Sequence, residues 1–159
     1  MGPIMLATDG SPSAEAATEE AISLARQLGL PLAIVSVAHD QTPVYGYYGY
    51  ADIVAGLREI QQERIADVFE TVGRKAEEAG VGFTTFAPEG SPGETICRLA
   101  AERGARLLVI GAHGWNGVGR LIHGSVSTYV LHHASTPVLV VNAREPSENA
   151  RAMSAATVA

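Results

Sequence analysis

The sequence predicts an α/β fold: a three-layer α/β/α domain around a five-stranded parallel sheet in the order 3-2-1-4-5. Three observations carry this. Five short apolar runs read as buried strands, and segments of helical period separate them. Strands that alternate with helices imply a parallel sheet covered on both faces and joined by right-handed crossovers. The 159 residues, 47% of them apolar, suit one compact domain with a real core.

The elements follow in order. Ile4-Met5-Leu6-Ala7 is strand one, starting just after Pro3, which has no N–H for a ladder. Ser11-Pro12 reads as an N-cap followed by proline at the first helical position. Ala14, Ala17, Ala21, Leu24, Ala25 and Leu28 recur at helical spacing, and Gly29 ends that helix. Leu32 to Val37 is strand two. Gln41 to Tyr50, where tyrosines mix with glycine, is a loop. From Asp52 to Gly80 the pattern is helical, with Ile53, Leu57, Ile60, Ile65, Val68, Phe69, Val72 and Ala76 on one broad face. Val81 to Ala87 is strand three, less apolar and so nearer an edge. Ser91-Pro92-Gly93-Glu94 has capping-box spacing and opens a helix that ends near Gly104. Arg106 to Ile110 is strand four, Ser125 to His133 a helix, and Pro137 to Val141 strand five. Residues 1–142 form the domain. The tail 143–159, rich in Ala, Ser, Glu and Arg, is expected to be mobile.

Composition narrows the partners. The net charge is −6 and no Lys/Arg cluster stands out, which argues against nucleic acid as a ligand. Cys97 is the only cysteine, so an intramolecular disulfide is excluded, and a buried structural thiol is the expectation. No apolar run approaches the ~20 residues a membrane-spanning helix needs, and no leader pattern precedes the domain. A cytoplasmic protein with no membrane contact is expected.

The chemistry gathers at Gly111-Ala112-His113-Gly114, nine residues, then Gly124-Ser125-Val126-Ser127. A strand running into a glycine-rich loop and then a helix start is a recurrent way to hold phosphate. Small residues let the backbone approach, and free N–H groups point at the charge. In the expected strand order the sheet reverses between strands one and four, and ligands bind outside the strand ends at such a reversal. Those ends are Thr8-Asp9-Gly10 and Gly111-Ala112-His113-Gly114, so topology and motif select one crevice.

These residues resemble the nucleotide-binding universal stress proteins. Gly111-x2-Gly114-x9-Gly124-Ser125 has the G-x2-G-x9-G-[ST] pattern of that family. Ile4 to Ser11 is similar to its first strand and turn, Gly90 to Ile96 to the start of its third helix, and Ser135 to Val141 to its last strand. The resemblance implies a Rossmann-like ATP-binding domain, usually a homodimer, and with it the role of a stress sensor or regulator; an ATP-bound regulator with Mg²⁺, not an enzyme, is the expectation. The resemblance also implies that Ala7 and Thr8 line the adenosine and that Asp9 sits by the ribose or phosphates. Val37 would meet the adenine edge. Gly111, Ala112, His113, Gly114, Trp115, Asn116 and Gly117 would wrap the ribose and phosphates. Gly124, Ser125, Val126 and Ser127 would bind phosphate oxygens.

Elementary chemistry agrees in part. Hydroxyls at Ser125 and Ser127 add donors to a helix start. Asp9 repels phosphate, so its partners are a sugar hydroxyl or Mg²⁺, which commonly takes one or two carboxylates plus phosphate oxygens. Asp9 to Pro12 serves equally as a turn and cap. Trp115 stands where many relatives carry a basic or small residue, and it either stacks on a ligand, covers the site or meets another subunit. Arg120 remains as a cation for phosphates. His132 and His133 are adjacent on a helix and diverge, which suits no chelating pair. Two rival readings stay open: slow ATP hydrolysis in the same pocket, and a chain without nucleotide, or with AMP or a cyclic nucleotide, that acts through protein contacts. Val138 to Val141 form an exposed apolar edge strand, which pairing with a second copy would cover.

Overall fold

The computed structural model describes residues 1–39, 50–112 and 124–142. The expected class is found. Strands β1 (Ile4–Ala7), β2 (Leu32–Val35), β3 (Ala38–His39), β4 (Phe83–Phe86), β5 (Glu89–Gly90), β6 (Leu107–Gly111) and β7 (Val138–Val141) alternate with helices α1 (Glu15–Leu28), α2 (Tyr50–Glu78), α3 (Pro92–Glu102) and α4 (Ser125–His133). The main sheet is parallel, with order β4-β2-β1-β6-β7. The fold differs from the expectation by a second, two-stranded parallel sheet of β3 and β5.

Proline explains the extra sheet. Strand two was expected to run to Val37, but its regular part ends at Val35. The Ser36 N–H still reaches the Phe86 carbonyl at 3.1 Å, and the Ala38 N–H the Pro88 carbonyl at 2.9 Å. Pro88 has no N–H to return, so the ladder breaks and resumes two residues on.

Side-chain alternation along the strands sorts the core into two layers. Ile4, Leu6, Leu32, Ile34 and Val109 face α1 and α2, joining Ala17, Ala21, Ala25, Val68, Val72 and Ala76. Met5, Ala7, Ala33, Val35, Leu108 and Ile110 face α3 and α4, joining Ile96, Leu99, Ala100 and Val130. All four residues of β1 are buried, as a central strand requires.

Local signals end the helices as expected in some places and not in others. Gly29 takes φ 63° and its N–H reaches the Ala25 and Arg26 carbonyls, the left-handed stop that glycine allows. Ser11 does not cap α1. A 3₁₀ turn over Pro12–Ala14 precedes the helix, and Ser11 makes no side-chain cap bond. Ser91 stands at the N-cap of α3, again with no side-chain cap bond, so the capping box is a spacing without its hydrogen bond. Leu57 and Ile60 belong to the broad apolar face expected of α2, yet they are 44% and 62% exposed. Twenty-nine helical residues span about 44 Å, far longer than a four-residue strand. The sheet therefore buries only the later part, through Ile65, Val68, Val72 and Ala76. Cys97 is half-buried rather than enclosed. The tail 143–159 and the tyrosine loop up to Gly49 lie outside the described residues.

Candidate functional site

The register builds a crevice at the carboxyl end of the sheet. Ala7 pairs with Ile110, so Thr8 and Asp9 continue beside Gly111 and Ala112. Beyond that point the two chains turn to different neighbours. The Thr8 N–H bonds to the Val35 carbonyl of β2 at 2.9 Å, and the Ala112 N–H to the Val141 carbonyl of β7 at 2.8 Å. The ladder between β1 and β6 thus opens where the strand order reverses, as ligand sites in such sheets do.

The turn after β1 is held locally. The Ser11 N–H donates to Asp9 Oδ1 at 3.0 Å, and the Gly10 N–H to Thr8 Oγ1 at 3.2 Å. Gly10 itself sits at φ +71°, and a Cβ there would come within 2.4 Å of Val68 Cγ2. Glycine is therefore required both for the turn and for the approach of α2. Asp9 is exposed at the mouth, while Thr8 and Ser11 are buried.

The helix α4 starts at the same place. The Gly124 N–H bonds to the Ala112 carbonyl at 2.8 Å, bringing the helix start to the end of β6. Its first intrahelical bond runs from the Thr128 N–H to the Gly124 carbonyl, so the N–H groups of Ser125, Val126 and Ser127 precede the helical ladder. They present a partial positive charge. Ser125 is exposed. Ser127 is buried, its hydroxyl 2.9 Å from the Ala112 carbonyl and 2.9 Å from the Gly124 carbonyl. The phosphate donor expected at Ser127 is engaged within the protein in this structure.

The structure thus brings together Ala7, Thr8, Asp9, Gly111, Ala112, Gly124, Ser125, Val126 and Ser127. Val37 lies past the end of β2, half-buried and packed against the α3–α4 layer. His113, Gly114, Trp115, Asn116 and Gly117, with Arg120, lie outside the described residues. The residues present suit a nucleotide with its metal: first-turn N–H groups for phosphate oxygens and one carboxylate at the mouth for a sugar hydroxyl or Mg²⁺.

Sequence reasoning missed the other side of the turn. A cleft of about 190 Å³ lies between the start of α1 and α2, and shares Thr8 to Ser11 with the crevice. Arg64, Asp67 and Thr71 of α2 line it. Positions 64, 67, 68 and 71 follow helical spacing, a signal that was available once α2 was known to cross this turn. Lys75 of α2 pairs with Glu15 of α1 nearby and ties the two helices. Elsewhere, His133 stacks on Tyr129 with ring centroids 4.0 Å apart, and His132 meets His133 edge-on. Among the described residues no group of three or more His, Cys, Asp or Glu side chains is placed to hold a metal. Among the same residues no helix is long and apolar enough to cross a membrane.

The fold agrees with the comparisons. The family model of the universal stress protein family matches residues 1–142. A universal stress protein of Methanocaldococcus jannaschii is 32% identical over 140 residues, 87% of this chain and 80% of that protein. Universal stress protein YxiE of Bacillus subtilis is 30% identical over 146 residues, 87% and 97% of the two chains. Among solved structures, the universal stress protein UspA from Lactobacillus plantarum superposes with a TM-score of 0.78 at 25% identity, covering 88% of this chain and 97% of that one. A universal stress protein solved in complex with cAMP gives 0.68 at 27% identity, covering 90% and 98%. The chain belongs to the universal stress protein family.

Proposed function

We propose that this protein binds an adenine nucleotide, ATP with Mg²⁺ foremost, and acts as a homodimeric nucleotide-dependent regulator. One observation carries the reading. The start of α4 is bonded to the end of β6 at the point where β6 and β1 part, so first-turn N–H groups that precede the helical ladder stand at the strand end next to the one that carries Thr8 and Asp9. That geometry suits an anion carried on a sugar. The glycine spacing Gly111-x2-Gly114-x9-Gly124-Ser125 supports the same ligand.

Regulation is favoured over turnover. Asp9, the carboxylate just past the end of β1, accepts the Ser11 N–H and so holds the turn. A binding role needs nothing more of it, whereas hydrolysis needs a group aligned on an attacking water. A cyclic nucleotide is the second reading, favoured by the relative of known structure that holds cAMP.

The test is native mass spectrometry of the purified protein, followed by calorimetric titration with Mg·ATP, ATP alone, AMP and cAMP. One ATP per chain, with Mg²⁺ strengthening binding and Asp9→Asn abolishing that gain, is the expected result. Tighter binding of cAMP than of ATP selects the second reading. A chain that takes up none of the four acts through protein contacts alone. Phosphate release from Mg·ATP is expected to stay at the level of buffer; release that Asp9→Asn abolishes while binding persists makes it an enzyme.

A further inference from the structure

The first turn of α4 carries two serines two residues apart, and the fold uses them differently. Ser125 is exposed. Ser127 is 2% exposed, and its hydroxyl lies 2.9 Å from each of two carbonyls, Ala112 and Gly124. A serine hydroxyl has a single hydrogen to donate, and its oxygen stands equally close to the two acceptors. The Ala112 carbonyl also accepts the Gly124 N–H, and the Ala112 N–H donates to Val141. The end of β6, the strand β7 and the start of α4 therefore meet at one buried residue, Ala112.

We propose that Ser127 is a positioning residue. Its hydroxyl clasps the start of α4 to the end of β6, and so sets where the first-turn N–H groups stand over the crevice. Phosphate contact is left to those N–H groups and to the Ser125 hydroxyl. The inference rests on the nucleotide reading above and assigns Ser127 a role other than direct contact. The physical argument is preorganisation. N–H dipoles stabilise an anion well only when they are already aimed, because re-aiming them on binding consumes affinity. A hydroxyl that moved to a phosphate would give up a buried hydrogen bond and leave the seam to the backbone bonds Gly124 N–H to Ala112 and Thr128 N–H to Gly124 alone.

The experiment pairs amide hydrogen exchange of the nucleotide-free protein with calorimetric titration of Mg·ATP, on wild type, Ser127→Ala and Ser127→Thr. In Ser127→Ala the Gly124 and Thr128 amides are expected to exchange about tenfold faster or more, the effect of one lost buried hydrogen bond. Amides of β1 and β2 are expected to be unchanged, which separates a local clasp from general loss of stability. The ATP dissociation constant is expected to rise by a similar factor, and Ser127→Thr, which keeps the hydroxyl, to restore both. Unchanged exchange at Gly124 with ATP affinity lost makes Ser127 a direct phosphate donor and overturns the proposal. Faster exchange with unchanged affinity overturns the positioning role. Wild-type protein that takes up no Mg·ATP overturns the nucleotide reading and the positioning role with it, while the exchange data still report on the clasp. Should Ser127→Ala not fold, the wild type decides: the Ser127 hydroxyl proton, slow to exchange in NMR spectra, keeps its shift when Mg·ATP is added. A hydroxyl that shifts strongly on addition has moved to the ligand, and the proposal falls.

Discussion

Gly10 shows how a single missing carbon sets the site. Its φ of +71° is costly for any residue with a Cβ, and that Cβ would lie 2.4 Å from Val68 Cγ2. Two penalties act together, a strained backbone and an overpacked contact. Gly10→Ala is expected to cost about 2–4 kcal/mol of unfolding free energy, measured by urea denaturation. A loss under about 0.5 kcal/mol would show that α2 yields freely and that the glycine is not needed there. Cys97 offers a second check at this scale. Burial raises its thiol above the ordinary value, and only the thiolate reacts readily. Its rate with a disulfide reagent is expected to be slower than that of free cysteine at neutral pH and to climb at higher pH. The sign follows from the shift: a raised pKa leaves less thiolate at any pH below it. A rate profile superimposable on free cysteine contradicts this.

The elements communicate through close contacts, and α3 against α4 is the clearest case. A Cβ on Gly93 would lie 2.7–2.9 Å from Tyr129 Cδ1, Cγ and Cβ, so the start of α3 rests directly on the aromatic ring of α4. Gly93→Ala must push Tyr129 away, and α4 with it. The expected cost is about 1–3 kcal/mol, with ATP affinity falling because the α4 first turn moves too. Adding Tyr129→Ala removes the obstacle, so the double variant should be more stable than the sum of the two single losses predicts. Additive losses would show that the two residues do not press on each other. This contact was not legible in the sequence, where Gly93 read only as part of a capping box. The strands and helices themselves were, because period and punctuation act locally: Ile4 to Ala7 and Ser125 to His133 are found with the predicted bounds. What local pattern missed depended on partners. The pair β3 and β5 exists because Pro88 interrupts a neighbour's ladder, and Leu57 and Ile60 are exposed because α2 outruns the sheet. The crevice was legible because the expected strand order and the glycine spacing after Ile110 point to the same strand ends. The clasp at Ser127 was not, since the sequence shows a hydroxyl and not what it faces.

At the scale of the whole molecule the two edges of the sheet differ. On the β4 edge Thr84 and Thr85 are exposed, and the Arg103 guanidinium lies 4.5 Å over the Phe86 ring, so polar groups blunt that side. The β7 edge is Val138-Leu139-Val140-Val141, half-buried throughout, and no described strand pairs with its outer side. An apolar edge with unpaired N–H and C=O groups is a template for another strand, and a second copy of the chain supplies one of matching pattern. The edge also touches the site, because Val141 accepts the Ala112 N–H at the foot of the crevice. A dimer formed there would hold Ala112, and through it the start of α4, from the outside. Two measurements follow from this arrangement. Sedimentation of the wild type is expected to give twice the 16.6 kDa chain mass, and Val140→Lys or Val138→Lys a folded monomer by circular dichroism. Nucleotide affinity should fall in the monomer even though neither valine lies in the crevice. An unchanged dimer mass in both variants places the interface elsewhere. A monomer that binds Mg·ATP as tightly as the wild type separates assembly from binding, and the edge then serves association alone.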